Sequence, residues 1–293
     1  MSNPVFKEES FQSASQSFNA GLAGNSAQAG QAGQAGWGAP AAGTHTATQP
    51  ASDGPVSGWQ KAMTINGTIT ASLVLLVLLL VSGSFGWSAA SGPTIVSNEG
   101  VPTETYQFPP VAMLGIIVGF IAVIVAMRKP NLAKILGPVY AIAYGFAVGA
   151  ISKGYETFYN GIVLQAVMAT ASVFFVMLVL YRTRIIKVTD KFRRAVIFAT
   201  LGVMVLYLSS FVMSLFGASL PFLNGDNMML SILFSVFVCG LAAVNLALDF
   251  DFIERATNAG MPKEYEWVGA LGLVVTLVWL YLELLRLLSY LRQ

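Results

Sequence analysis

Leu73-Val74-Leu75-Leu76-Val77-Leu78-Leu79-Leu80-Val81 is the stretch that decides the fold class, and it sits inside a window from Thr64 to Trp87 with no ionisable side chain. A hydrocarbon layer ~30 Å thick is crossed by about 20 apolar residues wound as a helix, so this window reads as a membrane span. Six more charge-poor stretches follow: Pro109 to Met127, Leu132 to Ile151, Gly161 to Tyr181, Ala195 to Phe216, Met228 to Asp249 and Trp267 to Leu291. Charged residues make up 10% of the 293 residues and hydrophobic ones 55%, with a mean hydropathy of +0.68. A soluble domain carries roughly 25% charge, so the chain is an all-α, seven-transmembrane helix bundle whose first partner is the lipid bilayer.

Residues 1–60 read differently. Gly, Ala, Ser and Gln dominate, and the triplet Gln-Ala-Gly recurs from Gln28 to Gly36. Too few large apolar groups are present to offset the entropy of ordering, so a disordered tail is expected, with residues 61–293 forming the membrane domain. The first apolar run begins too far along the chain for a cleaved signal peptide, so the first span is expected to be retained.

Basic residues set the orientation. Arg128, Lys129 and Lys134 follow the second span, and Arg182, Arg184, Lys187, Lys191, Arg193 and Arg194 follow the fourth. The alternate connections carry few: Ser88 to Phe108 holds only Glu99 and Glu104 as charges. The positive-inside rule then predicts a cell-membrane protein with a cytoplasmic N-terminus and an extracytoplasmic C-terminus. The basic 4–5 connection reads as this topology signal, with affinity for anionic headgroups, and not as a nucleic-acid site.

Small residues mark close helix approach. Gly145 and Gly149, extended backward by Ala141, lie on one face of the third span and read as a packing seam. Gly161, Gly202, Gly240, Gly269 and Gly272 read the same way.

Few ionisable groups remain inside the spans, and such groups are costly there. Asp249 and Asp251 are about 200° apart around a helix, so one faces the bundle and the other does not. Asn245, one turn before Asp249, can support it by hydrogen bonding. The alternative is that Asp249, Asp251 and Glu254 are the solvated end of the sixth span. In the seventh, Glu283 and Arg286 are spaced for a local ion pair, and Thr276 lies on the face of Glu283.

The run Gly137-Pro138-Val139-Tyr140-Ala141, the basic 4–5 connection, the stretch Leu248-Asp249-Phe250-Asp251-Phe252-Ile253-Glu254 and the ending Leu280-Tyr281-Leu282-Glu283-Leu284-Leu285-Arg286 together resemble the Bax inhibitor-1/YccA family. Its bacterial members that begin with a segment like Ser2 to Phe6 are the most similar. The resemblance implies six helices around a central seventh. It also implies a pH-sensitive leak for calcium or other cations, gated by two aspartates at the ends of helices 6 and 7 and latched by an arginine of helix 2. Asp249 matches the helix 6 aspartate, with Ile253 four positions on. The helix 7 position falls on Thr276 if the C-terminus is kept in register, or on Glu283 if the Leu-Tyr-Leu-acid motif is aligned. Arg128 is the latch candidate.

A second reading makes the protein a regulator of a membrane protease or secretion complex, with the tail as its handle. Enzymatic function is not expected. The only histidine, His45, lies in the tail, the single Cys239 lies in a span, and neither a phosphate-binding glycine loop nor an intramembrane metal motif is present. No cofactor or bound metal is implied, and the seventh span has no lysine for a retinal Schiff base.

Overall fold

Apolar runs in a membrane must satisfy their own backbone, and this chain does so as helices. The computed structural model describes residues 62–98, 101–216 and 227–293. Seven long helices occur among the described residues: α1 (Ile65–Ala89), α2 (Pro110–Arg128), α3 (Ala133–Phe158), α4 (Ile162–Arg182), α5 (Asp190–Leu215), α6 (Met228–Asn258) and α7 (Tyr265–Tyr290). Each is long and apolar enough to cross a bilayer, a 3-10 turn at Pro130–Leu132 leading into α3. The expected tail, residues 1–60, lies outside the described residues.

Caps set several helix starts. Thr64 accepts from the Gly67 amide at 3.0 Å, Thr189 from Phe192 at 3.3 Å and Asn227 from Leu230 at 3.3 Å. Each side-chain oxygen satisfies a backbone donor that the helix leaves open. Pro110 opens α2, where its missing N–H costs nothing.

Three boundaries depart from hydropathy. α3 runs past Ile151 to Phe158 and α6 past Asp249 to Asn258, because helix propagation does not stop where charge begins. α5 starts at Asp190, so Lys191, Arg193 and Arg194 belong to its first turns and not to a loop. The connection between α1 and α2 holds an antiparallel pair, β1 (Ser91–Asn98) and β2 (Val101–Gln107), running from Ser91 opposite Gln107 to Asn98 opposite Val101. The β-branched Thr94-Ile95-Val96 and alternating Val101, Thr103 and Thr105 favour that pairing over helix.

α7 is the hub. A core cluster built on Leu75, Leu79, Tyr140 and Ala141 packs α1 and α3 onto its Leu271, Val274 and Val278. A second cluster joins Met177 of α4 and Leu246 and Phe250 of α6 to its Leu273 and Leu280. Trp279 and Tyr207 bring α5 to the same helix. The outer faces are apolar: Leu80 is 66% exposed, Phe198 71% and Phe211 57%. Such surface is stable only against acyl chains.

The seam through Gly145 and Gly149 is where α1 meets α3. A Cβ at Gly149 would stand 1.9 Å from the Gly83 carbonyl oxygen, and one at Gly145 2.7 Å from that of Leu79. Gly202 and Gly240 behave otherwise: a Cβ at either would have nothing within 4 Å, so they are not contact positions.

Candidate functional site

Three groups of ionisable side chains lie along α7. The first lies on the side of the bundle where the basic residues gather. α6 ends there with Gly260 in the left-handed region (φ 63°), and the Met261 amide returns to the Ala256 carbonyl at 3.0 Å. This tight reversal brings the start of α7 back against the charged end of α6.

Asp249 faces α7. Its Oδ2 is sealed from solvent without a hydrogen bond, and its carboxyl group lies beside the Thr276 side chain. Gly272, one turn before Thr276, packs beside the carboxyl: a Cβ there would be in ordinary contact with Oδ1, at 3.4 Å. The Thr276 hydroxyl also donates to the Gly272 carbonyl at 3.1 Å. One hydroxyl proton cannot serve both acceptors, whereas a protonated Asp249 can donate to the Thr276 oxygen. Two hydrogen-bonding states are therefore open to this pair, differing by one proton.

Asp251 is buried and Asp249 half-buried, against the expectation that only one of the two acids turns inward. Asp251 faces α5: its Oδ2 accepts from Arg193 Nη2 at 2.5 Å, and its Oδ1 from Arg255 Nε at 2.9 Å. Arg255 also donates to the Val188 carbonyl at 3.1 Å, so one carboxylate ties α5, α6 and the 4–5 connection. Glu254 accepts from the Tyr181 hydroxyl of α4 and lies 3.9 Å from Arg184. The charged end of α6 is thus engaged on three neighbouring elements and is not simply solvated.

Two supporting residues stand elsewhere than expected. Asn245 does not donate to Asp249, because both amide hydrogens have other acceptors: its Nδ2 goes to Thr200 Oγ1 of α5 and to the Leu241 carbonyl, each at 2.9 Å. Arg128 is exposed at the end of α2 and forms no ion pair with a described carboxylate. The arginines that do grip an α6 aspartate are Arg193 of α5 and Arg255 of α6 itself.

A second group lies at the first turn of α7. Glu266, 4% exposed, accepts at Oε1 from the Thr64 amide at 3.0 Å and the Thr64 hydroxyl at 2.9 Å. A carboxylate at the start of α1 meets the positive end of that helix's dipole. Together with Met63 N donating to Met261 O at 2.7 Å, it fastens α1 to the 6–7 turn.

The third group surrounds Glu283, near the other end of α7 and ~10 Å along the axis from Thr276. Asp249 and Glu283 are therefore not brought together. The Tyr207 hydroxyl of α5 bridges Glu283 and Arg286, donating to Glu283 Oε1 at 2.6 Å and accepting from Arg286 Nη1 at 3.0 Å. Arg286 Nε also donates to Tyr290 at 3.1 Å, and its guanidinium lies 5.4 Å from the centre of the Tyr207 ring. Tyr207→Phe leaves a charged donor and acceptor without their common partner at constant volume. A loss of about 1–3 kcal/mol is expected, read as a lower thermal midpoint in detergent; an unchanged midpoint would show the bridge to be idle.

Arg193, Tyr207 and Glu266 carry most of this chemistry, and the sequence alone does not single them out as site residues. A tyrosine inside a span, an arginine shortly after a helix cap and a glutamate at a span's first turn are their only local signals.

The profile of the Bax inhibitor 1 like family matches residues 3–293. No curated protein gives a significant match. With nearly the whole chain matched and seven membrane-length helices in place, the protein is a multi-pass membrane protein that belongs to the Bax inhibitor 1 like family.

Proposed function

We propose that this protein is a pH-sensitive leak pathway for cations, calcium foremost, gated where α6 meets α7 at Asp249 and Thr276. The observation that carries the reading is the sealed, unpartnered Oδ2 of Asp249 beside a hydroxyl of the central helix. A buried polar atom without a partner is costly, so it marks a group held for a task. The proton that links the two states of this pair is the proposed trigger. Asp251 and Arg193 form the proposed latch, holding α5 against α6 while the path is shut. The basic side is the cytoplasmic one in this reading, with the gate at the inner mouth. The task is transport, not catalysis.

Asp249→Asn tests it. The amide is neutral and can donate to Thr276, so it mimics the protonated state at every pH. One hydrogen bond of ~1–2 kcal/mol shifts an open-to-shut ratio by about five- to thirty-fold. Calcium flux from protein reconstituted in liposomes is expected to change by that order and to lose its pH dependence. Flux and pH profile identical to the parent's would overturn the proposal.

A further inference from the structure

α1 packs on α3 and α7, while α4 packs on α6 and α7, and the gap between α1 and α4 is a groove of about 1170 Å³. On α1 it extends from Ile65 to Ser88, ~35 Å at the helical rise, enough to cross both leaflets. Its volume exceeds the ~300–1,000 Å³ usual for small-molecule pockets.

The lining is chemically apolar even where it carries hydroxyls. Thr68 donates to the Thr64 carbonyl at 3.0 Å, Ser72 to Thr68 at 2.9 Å, Thr170 to Ala166 at 2.7 Å and Ser152 to Val148 at 2.7 Å, with the Tyr281 hydroxyl also 2.7 Å from Ser152. With these hydroxyl protons spent on the protein itself, the walls offer few donors to water and are otherwise hydrocarbon.

Charge appears among the lining residues only at the basic end, as Arg182 and Glu254. Glu254 is engaged by Tyr181 and Arg184. Arg182 is exposed and has no hydrogen bond or ion pair with a described residue, and Arg184 stands two residues beyond it. An acyl-shaped trough in one leaflet, topped by an arginine at headgroup level, matches one kind of molecule.

We propose that the basic-side half of this groove is a binding site for an anionic phospholipid, its phosphate on Arg182 and its acyl chains between α1 and α4. The inference is independent of the gate. An arginine near the membrane surface strengthens binding of an anionic headgroup about five-fold.

The test is native mass spectrometry of delipidated full-length protein titrated with phosphatidylglycerol or phosphatidylcholine. Retention of phosphatidylglycerol is expected to exceed that of phosphatidylcholine. Arg182→Gln should lower phosphatidylglycerol retention about five-fold and leave phosphatidylcholine unchanged, while Arg182→Lys should restore most of it. Ala171→Trp, which fills the trough, should displace both lipids. Equal retention of the two headgroups, no effect of Arg182→Gln, or undiminished binding to folded Ala171→Trp protein would each overturn the site.

Discussion

Gly149→Val is expected to separate α1 from α3 and to lower stability by about 3 kcal/mol or more, the upper end of what overpacking costs. The added carbon would lie 1.9 Å from the Gly83 carbonyl oxygen, 2.6 Å from its carbon and 2.8 Å from its Cα. All three are backbone atoms, so no side chain can swing away and the helices themselves must move. The same contact recurs further along the seam, where a Cβ at Gly86 would meet the Phe146 carbonyl oxygen at 1.9 Å. Membrane helices have no hydrophobic drive toward each other and associate through close backbone approach, so a seam forced open has little to replace it. Thermal midpoints in detergent, with size-exclusion profiles, give the measurement. Gly202→Ala and Gly240→Ala are the controls: with open space around each, they should be neutral or gain some of the ~1 kcal/mol that alanine offers over glycine in a helix. A Gly149→Val protein as stable as these controls would remove the seam from the account of folding.

The contrast between these glycines shows what sequence can carry. Spacing places Gly145 and Gly149 on one face of α3, and a repeated small-residue face has one ready use in a bilayer. A lone glycine has no such pattern, and Gly202 and Gly240 turn out to contact nothing. The seven spans are legible because hydrocarbon thickness acts on every residue of a span at once. The ends of α3, α5 and α6 are not, because caps and ion pairs there involve single residues and their spatial partners. Asp249 is legible as a rare acid in an apolar run, and Thr276 as its partner follows only from family register. The pairing of Asp251 with Arg193 spans 58 positions and two helices, and no local pattern announces it. Charge that reads as a topology signal in a loop proves to be interhelical wiring once α5 begins at Asp190. Likewise Glu283 and Arg286 satisfy a helical spacing rule, yet a third residue from α5 bridges them.

Asp251→Asn is expected to release α5 from the charged end of α6, and its effect should appear in both stability and flux. The side chain is 11% exposed and holds two guanidinium groups, Arg193 at 2.5 Å and Arg255 at 2.9 Å. Removing one partner of a fully buried pair costs ~3–5 kcal/mol because the other charge is stranded. Here the arginine side chains are 34% and 48% exposed, so water can take them back, and a loss of about 1–3 kcal/mol is expected. Arg193→Gln should cost less, since Arg255 still neutralises Asp251 in that variant. α5 is the helix with the least buried span window, 11%, so the contacts that remain after the break are few and its end should swing more readily. If the ion pair latches the pathway, Asp251→Asn raises liposome calcium flux at every pH while the Asp249-dependent pH response persists. That outcome separates latch from gate, because the two aspartates face different helices and answer to different partners. A lowered thermal midpoint with unaltered flux would leave the pair as scaffold and place the barrier to ions elsewhere along α7.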